Sequence, residues 1–288
     1  MYWLLKIIAR VPLHMLQLFA SWIAVILYHC NSSMKKITST NIKLVYPNLA
    51  KSEQETLIKQ SLNSQCLTFM ESIKCWGMPP EYALSLVKKS DGEQLLQDAL
   101  ASKKGVIIVI THFGCWELLT AWLSVYTSPV IMYKPNKNKS MDKFMLEARQ
   151  RINATLVPTD ESGVRAIFKH LKKGGLTVIL PDHLPRPSGG IYSQFFGQET
   201  LCSTLVSKLA HKTQCHVLGL HALRQEQYFH VNCFPLSAEI SSPDLAHSVQ
   251  HLNLDMQTMI NQAPEQYMWS YKRFRKIKGQ TNIYNAPS

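Results

Sequence analysis

Residues 106–119, VIIVITHFGCWELL, constrain the fold more than any other segment of this 288-residue chain. Residues 106–110 are wholly apolar and rich in β-branched side chains, which predicts a buried strand rather than a helix. His112 follows, and Glu117 lies five positions further on. On one continuous helix these two side chains would be about 140° apart, because each residue turns a helix by about 100°. They meet only if the strand ends before His112, Gly114 permits a turn, and a helix begins near Glu117.

The same alternation of apolar runs and helical segments continues along the chain. The predicted strands are 106–110, 130–133, 154–157, 176–180, 216–223 and 228–234, the last antiparallel to the one before it. The predicted helices are 52–75, opened by a Ser52/Glu55 capping box, and 81–87, 94–102, 140–152, 163–173, 200–212 and 242–262. Residues 36–48 are predicted as a polar connector and 90–92 as a turn. This pattern predicts an α/β fold with a mostly parallel central sheet flanked by helices.

Composition narrows the class of protein. The chain is 46% hydrophobic and 17% charged, which excludes a disordered protein, and its formal net charge of +12 predicts attraction to polyanions. Nucleic acid, anionic lipid and an acidic carrier protein all meet that description. The seven cysteines are scattered and never form a C-x-x-C pair, which favours reduced thiols over a disulfide framework or a zinc site.

The amino terminus carries the longest apolar stretch, residues 11–30, with basic residues on both sides. About 20 apolar residues suffice to span a bilayer. Trp3 and Trp22 favour an interfacial position instead, and a buried helix of a soluble protein is a further alternative. We predict that residues 1–30 form a membrane-anchor or interfacial helix and that residues 31–288 form a single α/β domain.

A histidine at the carboxyl end of a parallel strand lies where open α/β sheets bind their ligands. A neutral His112 imidazole there can take a proton from a substrate hydroxyl, with Glu117 fixing its tautomer. The chain has no G-x-S-x-G nucleophile elbow, so direct transfer is simpler than a covalent intermediate. By spacing alone, a core histidine that caps the helix is an equal alternative. No metal site is predicted, because no H-E-x-x-H spacing occurs.

Four segments in order extend this interpretation: GVIIVITHFGCWELL, MYKPNKNKSMDKFMLEARQR, LKKGGLTVILPDHLPRPSGGIYSQFFG and PEQYMWSYKRFRK. Together they resemble the bacterial lipid A biosynthesis acyltransferases, over nearly the whole chain. The resemblance implies a glycerol-phosphate-acyltransferase-like α/β fold, no cofactor, and a catalytic pair at His112 and Glu117. It further implies transfer of a fatty acyl chain from acyl carrier protein or acyl-CoA to a lipid A precursor, at the cytoplasmic face of a bacterial inner membrane.

The resemblance also implies residues that position the reactants. An arginine after the Tyr-Lys-Pro segment falls on Arg149, with Arg151 as the alternative, and its guanidinium can hold a phosphate or polarise a thioester carbonyl. Asp182 matches the aspartate of a Pro-Asp-Gln motif, although His183 stands in place of the glutamine. For Arg149 the alternative is a solvated helix face, and for Asp182 it is a turn residue.

Phe195 and Phe196 match a Phe-Phe-Gly loop, interpreted as part of the acyl-chain pocket, with ordinary core packing as the alternative. A carboxy-terminal group of basic residues interleaved with aromatic ones favours anionic lipid or an acidic carrier protein over nucleic acid. Its members are Lys272, Arg273, Arg275, Lys276 and Lys278. Two other functions stay open: the same chemistry on another lipid acceptor, such as a lysophospholipid, another glycolipid or a polyene lipid, and a non-catalytic lipid-binding protein.

Overall fold

A seven-stranded sheet lies at the centre of the computed structural model, which describes residues 1–30, 32–226 and 228–285. In spatial order its strands are β1 (Val87–Asp91), β9 (Tyr228–Pro235), β8 (His216–Gln225), β2 (Val106–Val109), β5 (Leu176–Ile179), β3 (Val130–Tyr133) and β4 (Thr155–Pro158). The strands from β8 to β4 are parallel to one another, whereas β9 runs antiparallel to β8 and β1 runs parallel to β9. The predicted mostly parallel sheet and the antiparallel β8–β9 pair are confirmed.

Helices cover both faces of this sheet. In chain order they are α1 (Tyr2–Arg10), α2 (Leu13–His29), α3 (Ser33–Val45), α4 (Lys51–Gly77), α5 (Pro80–Ser85), α6 (Glu93–Ala101), α7 (Leu118–Ser124), α8 (Lys139–Arg151), α9 (Glu161–Lys172), α10 (Leu205–Thr213) and α11 (Leu245–Ile260). Side chains of β2 alternate between two cores: Ile107 and Val109 pack with α3, α4 and α9 to α11, whereas Val106 and Ile108 pack with α5 to α7. The strand is therefore buried on both sides, as its wholly apolar sequence predicted.

Residues 36–48 form most of helix α3 rather than a connector. The Ser32 hydroxyl accepts the N–H of Lys35 at 3.2 Å and caps the helix. The buried face combines Ile42, which packs in the core, with Asn41, whose amide donates to the carbonyl oxygens of Trp269 and Tyr271 at 2.6 and 2.8 Å. Hydrogen bonds to the carboxy-terminal segment thus add to the apolar contacts of this helix.

Three further boundaries differ from the prediction. Helix α4 begins before the expected Ser52/Glu55 capping box, and the Ala50 N–H donates to Glu53 at 2.8 Å instead. The segment predicted as one helix over 200–212 divides into α10 and a preceding strand, β7 (Gln198–Ser203). Strand β7 pairs antiparallel with β6 (Gly190–Phe195) as a separate hairpin. Strand β1 was missed, because an exposed edge strand with the sequence VKKSD carries no apolar alternation.

The amino terminus forms two helices rather than the single one expected over residues 1–30. Pro12 separates α1 from α2, and the helix axes are bent by 115°. Leu5 of α1 and Ala20 of α2 pack against α4 and against Phe144 of α8. In the described part of the chain, no single helix is long and apolar enough to cross a bilayer; α1 and α2 reach that length and hydropathy only as a bent pair.

Candidate active site

His112 lies in the turn that follows β2, and helix α7 begins at Leu118, directly after Glu117. The predicted strand, turn and helix are therefore confirmed. Gly114 adopts a φ of +59°, and a Cβ atom there would come within 2.0 Å of the Ala222 carbonyl oxygen. Only glycine fits this close approach of the turn to β8.

The carboxylate bonded to the His112 ring is that of Asp182. Its two oxygens lie 3.0 and 3.1 Å from His112 Nδ1, and Oδ2 also accepts the backbone N–H of His112 at 3.1 Å. Asp182 follows β5, and β5 is the neighbour of β2 in the sheet. Two adjacent parallel strands thus bring the histidine and the acid together at their carboxyl ends.

This pairing fixes the state of the imidazole. An ionised carboxylate only accepts hydrogen bonds, so Nδ1 carries the proton and Nε2 keeps a lone pair. No described residue forms a hydrogen bond with Nε2, and the His112 side chain is 17% exposed. The ring can therefore accept a proton from a molecule bound on its open side.

Asp182 is held ionised although it is fully buried. Burial by itself would raise the pKa of this carboxyl, but the positive charge that His112 carries when protonated and the hydrogen bonds that His112 donates hold it below its usual range. Tyr267 donates to Asp182 Oδ2 at 3.1 Å, and burial together with the Asp182 charge raises the pKa of this phenol well above its usual value. Asp182 thus accepts three donors while Tyr267 stays protonated.

The His112 ring is also the first of three rings that stack face to face. His183 stacks on His112 with centroids 3.7 Å apart and an angle of 1° between the planes, and Tyr271 stacks on the far side of His183 at 3.7 Å and 15°. Trp116 meets His112 edge to face at 5.2 Å. Burial, followed by the positive charge that His112 carries when protonated, lowers the pKa of His183 to about 4, so His183 is neutral at neutral pH.

Glu117 is not bonded to His112, and the expectation that it orients the histidine does not match the structure. Its Oε2 accepts the Trp76 indole N–H at 2.8 Å and the Arg149 guanidinium at 2.8 Å. The helical geometry explains the difference, because Glu117 opens α7 and faces α4 and α8 rather than the end of β5.

Of the two candidate arginines, the structure brings Arg149 to Glu117. Arg151 instead donates to the backbone carbonyl oxygens of Trp76 and Met78. The Arg149 side chain is 12% exposed, and its buried Nε atom has no partner among the described residues. Arg149 therefore keeps donors free beside the Glu117 carboxylate.

An apolar cavity of about 460 Å³ lies next to the histidine. Trp116, which touches the His112 ring, and Met268, whose N–H donates to the His112 carbonyl oxygen at 2.9 Å, form part of its wall. The rest of the wall comes from α2, α3, α4 and the carboxy-terminal segment, and includes Ile23, Leu27, Met34, Cys66, Phe69 and Met70. Half-exposed Phe69 marks where the cavity reaches the surface.

Phe195 and Phe196 do not line this cavity. Phe195 is fully buried and lies beneath the Arg273 guanidinium, 4.8 Å from the ring centroid. Phe196 packs against Trp269 at 5.7 Å and sits in the β6–β7 turn with a φ of +50°. Both residues belong to the core under the hairpin.

The carboxy-terminal basic group also divides on folding. Arg273 is 2% exposed and donates to the Leu201 carbonyl oxygen at 3.0 Å, so it is a core residue rather than part of a charged surface. Arg275, Lys276 and Lys278 remain exposed. The basic surface of this segment is therefore smaller than the sequence indicated.

His112, Asp182 and His183 form the one group of three metal-capable side chains within residues 1–30, 32–226 and 228–285. Their geometry does not suit a metal ion. The two imidazole planes are parallel and 3.7 Å apart, so their in-plane lone pairs do not converge on a common point. The Asp182 oxygens already accept three protein donors.

Sequence reasoning missed the bonding role of Asp182 and the whole of the aromatic stack. Asp182 and His112 each follow an apolar strand, so the adjacency of those two strands was the signal that could have joined them. Tyr267 and Tyr271 come from the PEQYMWSYKRFRK segment, which carries the family resemblance but has no local pattern that places its tyrosines beside His112.

Comparison with known proteins supports the family resemblance found in the sequence, over nearly the whole chain. The sequence model of a family described as bacterial lipid A biosynthesis acyltransferase matches residues 1–276. The chain is similar to the lipid A biosynthesis lauroyltransferase of Escherichia coli K12, at 25% identity over 83% of this chain and 78% of the relative. It is also similar to the palmitoleoyltransferase of the same organism, at 25% identity over 87% and 82% of the two chains. A lipid A biosynthesis acyltransferase of Haemophilus influenzae is 20% identical over 98% of this chain and 88% of its own length.

Proposed function

This chain belongs to the bacterial lipid A biosynthesis acyltransferase family, and we propose that it moves a fatty acyl group from an acyl thioester to a hydroxyl of a lipid A precursor. The observation that carries the proposal is the His112 ring, bonded through Nδ1 to buried Asp182 and open at Nε2, beside an apolar cavity. Membership makes the protein an acyltransferase; the donor, the acceptor and the roles of residues are our proposal.

The proposed step is a direct transfer. His112 Nε2 takes the proton of the acceptor hydroxyl while the hydroxyl oxygen attacks the thioester carbonyl carbon. The carbon–sulfur bond then breaks, the ester forms, and the leaving thiolate takes the proton back from His112. Asp182 holds the Nδ1–H tautomer and stabilises the imidazolium that exists between these two proton transfers.

The Glu117 and Arg149 pair has a separate part in this proposal. Glu117 is 8% exposed and holds the Arg149 guanidinium at 2.8 Å, which fixes the position of a charge that most arginines carry on a mobile side chain. The free donors of Arg149 then bind a phosphate of the substrate or the carbonyl oxygen of the thioester as negative charge builds on it.

The apolar cavity is the proposed place for the acyl chain. Its wall is almost wholly apolar. Trp116 and Met268, which form part of this wall, also contact His112. A methylene group moved from water into such a space is stabilised by about 0.8 kcal/mol, so a chain of a dozen carbons has a strong preference for it. The thioester end would then lie at the histidine.

We propose acyl carrier protein as the donor, with acyl-CoA as the alternative. The net charge of +12 favours association with an acidic carrier. Initial rates with the two donors at rising salt distinguish them. A carrier-protein reaction should slow several-fold between low and physiological ionic strength, because screening weakens charge steering.

We also propose that helices α1 and α2 attach the protein to the cytoplasmic face of the inner membrane. These helices and Met1 expose many large apolar side chains: Met1, Trp3, Leu4, Ile7, Met15, Leu18, Phe19, Trp22, Val25 and Ile26. Such a face lies in the headgroup region of a bilayer, with nearby lysine and arginine attracting anionic lipid. Full-length protein should sediment with phosphatidylglycerol vesicles, and the Leu18→Ser, Trp22→Ser variant should stay in solution. Equal sedimentation of both would reject this attachment surface.

The catalytic proposal is tested with purified enzyme, a lauroyl thioester of acyl carrier protein and a lipid A precursor that lacks secondary acyl chains. His112→Ala should lower the rate of transfer at least 1,000-fold, on the order expected when a general base is removed. His211→Ala, at an exposed position on α10, is the matched control and should keep normal activity. Near-normal transfer by His112→Ala would refute the proposed mechanism.

Mass spectrometry of lipids from cells with and without the protein identifies the acceptor. Loss of one acyl chain from lipid A supports the proposal. Unchanged lipid A together with loss of a chain from a lysophospholipid-derived or other glycolipid species would place the same chemistry on another acceptor. Unchanged lipids and no transfer in vitro would indicate a non-catalytic lipid-binding member of the family.

A further inference from the structure

The three-ring stack at the active site has His183 as its middle member. One face of the His183 ring lies on His112 and the other on Tyr271, each with centroids 3.7 Å apart. The plane of the His183 ring is tilted by only 1° from that of His112 and by 15° from that of Tyr271. A side chain clamped on both faces in this way cannot turn without moving one of the two rings beside it.

The clamp is held from three parts of the chain. His112 follows β2, His183 follows β5, and Tyr271 comes from the carboxy-terminal loop. The Tyr271 hydroxyl accepts the N–H of Leu184 at 3.2 Å, and its carbonyl oxygen accepts the Asn41 amide of α3 at 2.8 Å. The outer ring is therefore fixed both to the loop that carries His183 and to a helix on the other side of the core.

The charges around the stack determine what the middle ring can do. The titratable and charged groups around it are His112, Asp182, Arg273 and Tyr271, and Tyr267 lies behind them, bonded to Asp182. Burial, then the charge of His112 and of Arg273, lower the pKa of His183 to about 4, against the opposing effect of Asp182. At neutral pH the ring is neutral, and its π face is turned towards the place where His112 acquires positive charge.

We propose that His183 is a positioning residue for the transfer reaction: its neutral ring holds the His112 plane and stabilises the imidazolium form of His112 through its π face. The inference rests on the proposed function, because it needs His112 to carry a proton during the reaction. A cation over an aromatic face is attracted by the ring's π electrons, and the attraction is stronger where both groups are partly buried, as they are here. Asp182 and His183 therefore act on His112 from different directions. Asp182 bonds to Nδ1 at the edge of the His112 ring, and His183 lies against the face of that ring.

The test compares two replacements of similar size. His183→Phe keeps an aromatic face, whereas His183→Leu fills the space without one. We expect His183→Leu to lower kcat roughly 3- to 30-fold, with a much smaller change in KM for the acyl donor, and to move the acid limb of the kcat/KM profile to lower pH. His183→Phe should keep kcat within about threefold of the unaltered enzyme and keep the limb in place.

A second variant covers the case in which His183→Leu folds poorly. Tyr271→Leu leaves both histidines in place but removes the outer ring, so it should lower kcat in the same direction by a smaller factor. An unchanged kcat and acid limb in His183→Leu, or a loss in His183→Leu that His183→Phe shares equally, would overturn the role of the ring. If His112→Ala itself keeps normal activity, the proposed function fails instead, which separates the two ideas.

Discussion

Replacement of Asp182 by asparagine tests which acid orients His112: Asp182, which is bonded to the ring, or Glu117, which the sequence pattern indicated. The Asp182 carboxylate accepts three hydrogens, from His112 Nδ1, from the His112 backbone N–H and from Tyr267. An asparagine has only one oxygen. In either orientation its amide NH₂ faces at least one donor of His112, so one hydrogen bond becomes a clash between donors.

The size of the effect follows from the tautomer. If the asparagine NH₂ donates to Nδ1, the proton of His112 moves to Nε2, which then has no lone pair to accept a proton. The same change in serine-protease triads slows the reaction about 10⁴-fold for this reason. We expect Asp182→Asn to lower kcat by about 10³- to 10⁴-fold, or about 4 to 5.5 kcal/mol of transition-state free energy.

Glu117→Gln is the matched comparison. It keeps an acceptor for the Trp76 indole and removes only the charge facing Arg149, so it should lower kcat/KM by about 10- to 100-fold, as expected for a weakened charge-assisted contact. Initial rates of acyl transfer across pH 5 to 9, with thermal unfolding as a check on folding, measure both variants. A loss in Glu117→Gln as large as in Asp182→Asn would refute our assignment and restore Glu117 as the orienting acid.

Three further outcomes follow from buried groups outside the reacting pair. Burial lowers the pKa of His221 to about 4, below the value of about 6.5 in an unfolded chain, so the unfolded state binds more protons between these values. The contribution of this group to the free energy of unfolding should therefore fall by about 1 to 2 kcal/mol from pH 6.5 to pH 5, and His221→Leu should flatten this slope in denaturant titrations. Leu27→Trp should shorten the cavity. The ratio of kcat/KM for a long acyl donor to kcat/KM for a donor two methylenes shorter should then fall about tenfold in a donor competition. An unchanged ratio would show that the acyl chain does not bind in that cavity. Glu71→Gln should destabilise the fold by about 3 to 5 kcal/mol, because Arg224 then keeps a buried charge without its 2.6 Å partner; Glu239→Gln, in an exposed pair with His247, should cost less than about 1 kcal/mol.

The sheet and most of its helices could be predicted, because each is encoded by residues close in the chain. The β2 strand is apolar on both faces and the turn after it contains the glycine that the backbone requires. Errors arose where a distant contact overrides the local pattern. Helix α3 is held by the Asn41 bonds to the carboxy-terminal loop, and β7 is a strand because β6 pairs with it. The burial of Phe195 and Arg273 against each other was not predicted, because it depends on contact between the β6–β7 hairpin and the carboxy-terminal segment.

Local sequence is enough to place His112 in the turn after a strand and Glu117 at the start of the next helix, because apolar periodicity and glycine conformation depend on neighbouring residues. The tertiary structure decided which acid meets the histidine. That choice depends on strand order, which places β5 beside β2 and so brings Asp182 to Nδ1 from 70 positions away. Strand order is set by the packing free energy of the whole sheet and its covering helices, which no segment of the sequence contains.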